Sequence, residues 1–303
     1  MNFAVCLAAF NGMAFIESQI NSILEQQNVT VQVFISVDAS TDGTEAFLAN
    51  WCLSEPRLTL LPVGQRFGGA APNFFRLLRE LEFAGFDYLC FSDQDDIWHP
   101  GKLWRAHEVL TAHEAAAYSS NVRAFWPDGR TRLIHKAQPQ KRWDFLFEAA
   151  GPGCTYVLRQ DLMLAVQHFV RSRWQALQSV ALHDWLTYAF ARANGYQWVI
   201  DSSVGMDYRQ HAANQVGVNA GWQAFVYRIH KVLSGWGLAQ AALIAEVLDL
   251  DTTPFVQTWK TKGRLGMLWL AFNANHCRRR GRDKVFFALS CMALAVVGRS
   301  GKA

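Results

Sequence analysis

Along the first hundred residues, short apolar runs and amphipathic stretches take turns. Residues 3–9 (FAVCLAA) and 31–37 (VQVFISV) are apolar, β-rich runs that each end at a polar or glycine-containing segment. Between them Phe15, Ile16, Ile20, Ile23 and Leu24 recur at near-helical spacing, which predicts a helix over 14–26. The alternation repeats: helix over 45–51, strand over 57–61, helix over 73–83, strand over 87–91. Strands alternating with helices predict βαβ units, hence an α/β fold with a mostly parallel sheet flanked by helices. Such sheets gather ligands at the carboxyl ends of their strands. Polar clusters fall at those ends, with Asn11 after the first strand, Asp38 after the second and Asp93 after the fourth.

Past Trp104 the pattern loosens. Strands are expected over 116–126, 154–158 and 196–200, and a helix over 183–193. From Trp222 onward the chain reads as helical, with breaks near Gly235, Pro254 and Gly263. Residues 285–297 (VFFALSCMALAVV) form a nearly unbroken apolar run, yet crossing a bilayer takes about 20 such residues. Preceded by Arg278, Arg279 and Arg280, this run fits either a helix lying in a membrane interface or one packed on the protein with its arginines in solvent. The membrane-contact candidate spans 276–299.

Composition narrows the class. At 303 residues and 51% apolar, the chain can build a packed core. The six cysteines are scattered without a CxxC pair, which favours a reducing compartment over a disulfide framework. The start lacks a basic n-region and runs into Asn11-Gly12, so it reads as a buried strand rather than a secretory leader. Cytoplasmic residence is the expectation, with peripheral attachment to the inner membrane face as an addition to it. The net charge of +4 conceals an asymmetry: residues 260–303 carry ten Lys/Arg against Asp283 alone, a local charge of +9, leaving −5 for residues 1–259.

The segment FSDQDDIW (91–98) concentrates the chemistry. Asp93, Asp95 and Asp96 crowd the end of an apolar strand, and carboxylates so close repel unless a cation or donors offset them. Mg²⁺ or Mn²⁺, sharing carboxylate and phosphate oxygens, is the natural partner. A purely structural reading makes these acids the cap of a helix that begins near Pro100.

This segment resembles the D-x-D region of family 2 glycosyltransferases of the GT-A fold, in particular their bacterial rhamnosyltransferase-like branch. Further matching segments follow in order: AAFNG (8–12), VDASTDGT (37–44), GGAAPNF (68–74), GPGCT (151–155), HDWL (183–186) and YRQH (208–211). Two positions depart from the family pattern. Val37-Asp38-Ala39-Ser40 lacks one acid and one glycine, and Arg66 or Phe67 stands where an asparagine is usual.

The resemblance implies a GT-A catalytic domain over 1–217, with a nucleotide-sugar half over about 1–105 and an acceptor half over about 106–217. A helical, basic C-terminal extension over 218–303 would follow. It implies that Asn11, Asp38, Asp93 and Arg209 bind the donor nucleotide and that Asp95 and His211 hold the metal. Asp184 would be the general base, at the start of a helix. Asn11-Gly12 also reads as a turn, Asp38 and Asp184 as helix caps, and His211 as a loop residue. His183, Trp98 and Trp185 are candidate acceptor or sugar contacts, as is Trp222, although many of the twelve tryptophans belong in a core.

The implied reaction inverts configuration at an anomeric carbon. The donor would be a nucleotide-diphosphate sugar, dTDP-L-rhamnose or a UDP-hexose or UDP-galactofuranose, and the acceptor a glycan or lipid-linked glycan of the bacterial surface. Rival readings are a D-x-D phosphatase, which lacks its downstream lysine and acid here, and a non-catalytic nucleotide-sugar or glycan-binding module. Nucleic-acid binding is not expected, since the arginine-rich tail adjoins an apolar run rather than a basic aromatic face.

Overall fold

The computed structural model describes residues 1–211 and 234–297. The chain clusters into two compact units, the first made of 1–137 with 150–217 and the second of 138–149 with 218–303. Residues 138–149, which the sequence reading left within the acceptor half, therefore group with the C-terminal part. Trp222 lies outside the described residues.

In the first unit β1 (Asn2–Ala9) is buried along nearly its whole length, because β2 (Thr30–Val37) and β4 (Tyr88–Ser92) pair with it on both sides, in parallel. A strand enclosed by helices and neighbours carries apolar side chains on both faces, which explains the continuous run. Helices α1 (Ile16–Leu24), α2 (Thr44–Ser54) and α3 (Ala70–Glu80) connect β1 to β2, β2 to β3 (Leu58–Leu60) and β3 to β4. The sheet continues past β4 in the order β3-β2-β1-β4-β8-β6-β9-β5, with β7 (Thr131–Ile134) on β6. The antiparallel joins of β8 (Val157–Arg159) to β4 and of β5 (Ile97–Trp98) to β9 (Trp198–Arg209) are short, whereas β9 runs parallel to β6 (Ala117–Phe125) over most of its length.

Two strands differ from expectation. β9 extends to Arg209 rather than ending near Ile200, because its polar residues find partners on other elements. Asp201 takes Arg105 at 3.0 Å, and Asp207 pairs with Arg123 and with His99. Residues 153–155 form a 3₁₀ turn that opens β8, so this strand starts later than the apolar run suggests. Helices α4 (Lys102–Ala112), α5 (Gln160–Ser172), the short α6 (Trp174–Leu177) and α7 (His183–Ala193) complete the unit.

The second unit is helical: α8 (Trp236–Val247), α9 (Pro254–Thr261), α10 (Gly263–Phe272), the short α11 (Ala274–Cys277) and α12 (Gly281–Val297). Segment 138–149 is clipped into it. The buried Arg279 guanidinium lies 3.2 Å from Asp144 and donates to the Ala149 carbonyl at 2.6 Å, while Trp143 stacks on Phe255 at 4.5 Å. Among the described residues no helix is long and apolar enough to cross a membrane.

Candidate active site

The acidic segment leaves the end of β4 and is pinned to the end of β1. Gln94 accepts the Phe10 amide at 2.7 Å and donates to the Phe10 carbonyl at 2.9 Å. Its side chain passes so close to Gly12 that a Cβ there would sit 2.5 Å from Gln94 Oε1, so a larger residue at position 12 would displace the Gln94 amide from Phe10. Asn11, in the left-handed region at φ 46°, accepts the Thr41 amide through Oδ1 at 2.8 Å. Gly12 and Met13 donate to Thr44 and Asp42, so the two loops at the strand ends form one framework.

Asp38 belongs to the same rim. One carboxylate oxygen accepts the Phe67 amide at 2.8 Å and the other the Gly68 amide at 2.9 Å. It thus holds the 67–68 loop in place, and further contacts fall to its remaining lone pairs.

The structure brings Asp93, Asp95, Asp96, Arg209 and His211 together. Asp95 Oδ2 lies 2.7 Å from His211 Nε2. Arg209 donates its backbone amide to Asp96 Oδ1 at 3.1 Å and its Nε to the Asp95 carbonyl at 2.7 Å, with its guanidinium 4.7 Å from the rings of both Phe15 and Phe125. The end of β9, which the hydropathy pattern hid, thereby fixes the acidic loop from the other side. Asp93 is pushed up to about 7 by burial, with the charges of Asp95 and Asp184 adding to the effect. Asp96 is raised by burial and by the charges of Asp93 and Asp95, and its Oδ2 is buried without a hydrogen-bond partner.

Asp184 stands in the first turn of α7 and accepts the Trp185 amide at 2.7 Å. Burial lifts it to about 6, against an ordinary carboxylate value of about 3.9. Gly153 closely approaches Asp184, and the adjoining Cys154 holds its thiol with Asp93 and Asp96, which sets Asp184 beside the acidic cluster. His183 beside it is buried, stacked on Phe74 at 3.8 Å and against the edge of Phe91, and burial holds it near 3, hence neutral. Its packing is that of a support for the start of α7. Gly153 lies under this corner: a Cβ there would meet His183 Nε2 at 2.7 Å and Asp184 Cβ at 3.0 Å.

The sugar-stacking role expected of Trp98 and Trp185 needs correction. Their exposures are 2% and 6%, and Trp98 belongs to the main hydrophobic cluster, so neither ring offers a free face to a sugar. The sequence reading missed Lys102. Buried at the start of α4, it donates to the Cys154 carbonyl at 2.9 Å and lies 3.1 Å over the Trp98 ring. Burial lowers it to about 8, while the charge of Asp96 works in the opposite direction, so it stays an ammonium at neutral pH and offsets part of the acidic charge. A lysine just after Pro100-Gly101 reads as an exposed helix start, and no local pattern marks it otherwise.

This donor set suits a hard divalent cation. Asp93, Asp96 and Cys154 hold ligand atoms within 4.8 Å of one another, and Asp95 and His211 form a second adjoining pair. The unpartnered Asp96 oxygen and the upward push on Asp93 are the marks of carboxylates gathered without sufficient counter-charge. The thiol is the poorest match to Mg²⁺ or Mn²⁺, so the carboxylates and the imidazole are the ligands to consider.

Residues 4–164 match the family described as Glycosyl transferase family 2. The chain belongs to that family. The transferase is 42% identical over 284 residues to the dTDP-rhamnosyl transferase RfbG of Shigella flexneri, covering 93% of this chain and 98% of that one. Among solved structures it resembles S. aureus TarS 1–349 in complex with UDP-GlcNAc, with a TM-score of 0.55 at 13% identity over 97% of this chain and 89% of that one. It also resembles the mannosyltransferase PcManGT of Pyrobaculum calidifontis in complex with GDP-Man and Mn²⁺, with a TM-score of 0.52 at 19% identity over 97% and 86%. The fold of the transferase is therefore the GT-A type expected from its motifs.

Proposed function

We propose that this transferase moves L-rhamnose from dTDP-L-rhamnose onto a hydroxyl of a glycan or lipid-linked glycan in bacterial surface polysaccharide synthesis, with inversion at the anomeric carbon. The observation that carries the donor assignment is the 42% identity, over almost the full length of both chains, to a protein named as a dTDP-rhamnosyl transferase. The gathering of Asp93, Asp95, Asp96 and Asp184 supports turnover over mere binding, since a binding module needs no carboxylate held near neutrality. Free cysteines throughout support a reducing cytoplasmic setting.

In this reading Asp95 and His211 hold a divalent cation, with Asp93 and Asp96 beside it. The chemistry such an ion supplies when bound is charge neutralisation of the diphosphate. The chain's own residues do the rest. Asp38 and Asn11 shape the wall that receives the nucleoside, and Arg209, stacked between two phenyl rings, faces the phosphates. The acceptor oxygen bonds to the anomeric carbon as the carbon–oxygen bond to the diphosphate breaks, and the nucleoside diphosphate departs. Asp184 takes the acceptor's proton as that bond forms. Residues 1–217 then make up the catalytic domain, apart from the clipped segment 138–149.

The test is nucleotide release from a panel of dTDP-, UDP- and GDP-sugars, with and without Mn²⁺. Metal-dependent release of dTDP from dTDP-rhamnose is expected, falling by about 10²-fold or more in Asp95→Asn. Release from a UDP-sugar alone would overturn the donor assignment, and undiminished release by Asp95→Asn would remove that residue from the site.

A further inference from the structure

The second unit carries a surface that transfer chemistry does not use. On α10, Leu265, Leu268 and Phe272 project outward at a spacing of three and four residues, with Phe272 87% exposed. On α12, which packs against α10, Val285, Leu289, Met292 and Val296 do the same, with Val296 78% exposed. The opposite faces of these helices already supply the unit's interior through Met267, Leu270, Cys291 and Leu294. Spare apolar stripes on two adjoining helices are a binding surface rather than a core.

Charge identifies what the surface meets. Lys262 and Arg264 flank the start of α10, and Arg282 and Lys284 occupy the start of α12, with Asp283 the one acid among them. Cations at helix N-termini oppose the helix dipole, so local helix stability does not account for them. An apolar stripe bordered by lysine and arginine suits the interface of an anionic bilayer, where side chains enter the acyl boundary and cations meet lipid phosphates. A second copy of the chain fits worse, because a two-fold contact would bring these like charges face to face. Among the described residues no helix is long and apolar enough to cross a bilayer.

We propose that the exposed faces of α10 and α12 form a docking surface for anionic phospholipid, seating the transferase at a membrane surface. The inference stands on this unit alone and does not depend on the donor or the reaction assigned above.

Flotation of the full chain with vesicles tests it. Binding is expected to vesicles of phosphatidylglycerol with phosphatidylcholine and to be much weaker with phosphatidylcholine alone. Phe272→Glu with Leu289→Glu should reduce it at least about tenfold. Arg264→Gln and Lys284→Gln should each cost about fivefold. Leu53→Glu, at an exposed apolar position of the first unit, should bind like wild type. Leu53, Arg264, Phe272 and Leu289 are exposed and Lys284 is half-buried, so circular dichroism and nucleotide release should stay unchanged. Failure of the wild type to float with either vesicle would overturn the proposal, as would normal flotation of the double variant. So would a dimer in light scattering that the double variant dissociates without any vesicle binding.

Discussion

Asp184 is held ionisable near neutrality by its surroundings, and this gives its proposed role a pH signature. Burial lifts it to about 6, so near pH 7 most molecules carry the carboxylate, while below pH 6 the protonated form takes over and cannot accept a proton. The rate of transfer should therefore fall about tenfold per pH unit below 6. The stability sign runs the other way. A carboxyl whose folded value exceeds its ordinary value of about 3.9 binds more protons when folded, so between pH 4 and 6 acid strengthens its contribution to the fold. A thermal-melt series across the same range should show no loss of fold attributable to this group where activity disappears. Asp184→Asn should lose transfer by about 10²–10⁴-fold and keep donor binding measured by calorimetry. Robust transfer by that variant would exclude Asp184 as the base. At this scale motif order pointed to Asp184, Asp95 and His211, since those residues stand in recognisable segments. Lys102 escaped notice, because its burial depends on Trp98 and Cys154, distant or inconspicuous in the chain.

Elements deliver these side chains, and one glycine, Gly153, sets the clearance between two of them. Gly153 passes beneath the first turn of α7 so closely that a Cβ would press on His183 Nε2 at 2.7 Å. The imidazole is locked by Phe74 and Phe91 and has no free direction to retreat, so the start of α7, with Asp184, must shift. Displacing a catalytic group by about 1 Å costs on the order of 10²-fold in rate. Gly153→Ala should show that loss in the transfer rate with donor affinity nearly intact. Gly85→Ala, where nothing lies within 4 Å, should change neither. The parallel core β3-β2-β1-β4 was legible because strands enclosed by helices must be apolar throughout. The far half was less so. β9 carries Asp201, Ser203 and Asp207, polar residues made strand-compatible by Arg105, Tyr118 and Arg123 on other elements, and hydropathy along one segment cannot register partners roughly 80 to 100 residues away.

At the scale of the whole molecule, the chain's order in sequence and its order in space part company at residues 138–149. Read along the sequence, the matching motifs stop at YRQH (208–211) and the resemblance implies a division at 217. In space, this short segment clusters with the helical unit, and its attachments are of the costly kind. Arg279 and Asp144 are both buried and 3.2 Å apart, and Phe145, Leu146 and Phe147 are buried beside them. Removing one partner of a buried ion pair costs about 3–5 kcal/mol, because the other charge is left in a poor solvent. Each large apolar side chain returned to water adds about 1.5–3 kcal/mol. Truncation after 217 should thus strip Asp144, Phe145, Leu146 and Phe147 of their packing and yield a chain that binds a hydrophobic dye and aggregates. A truncation that also replaces 138–149 with a short polar linker should restore solubility. Within the full chain, Arg279→Leu should lower unfolding stability by about 3–5 kcal/mol in denaturant titration. Arg264→Gln, exposed in the same unit, should change it by less than about 0.5 kcal/mol. Equal soluble yields for the two truncations would mean that the clip contributes nothing and that the division at 217 is physical after all.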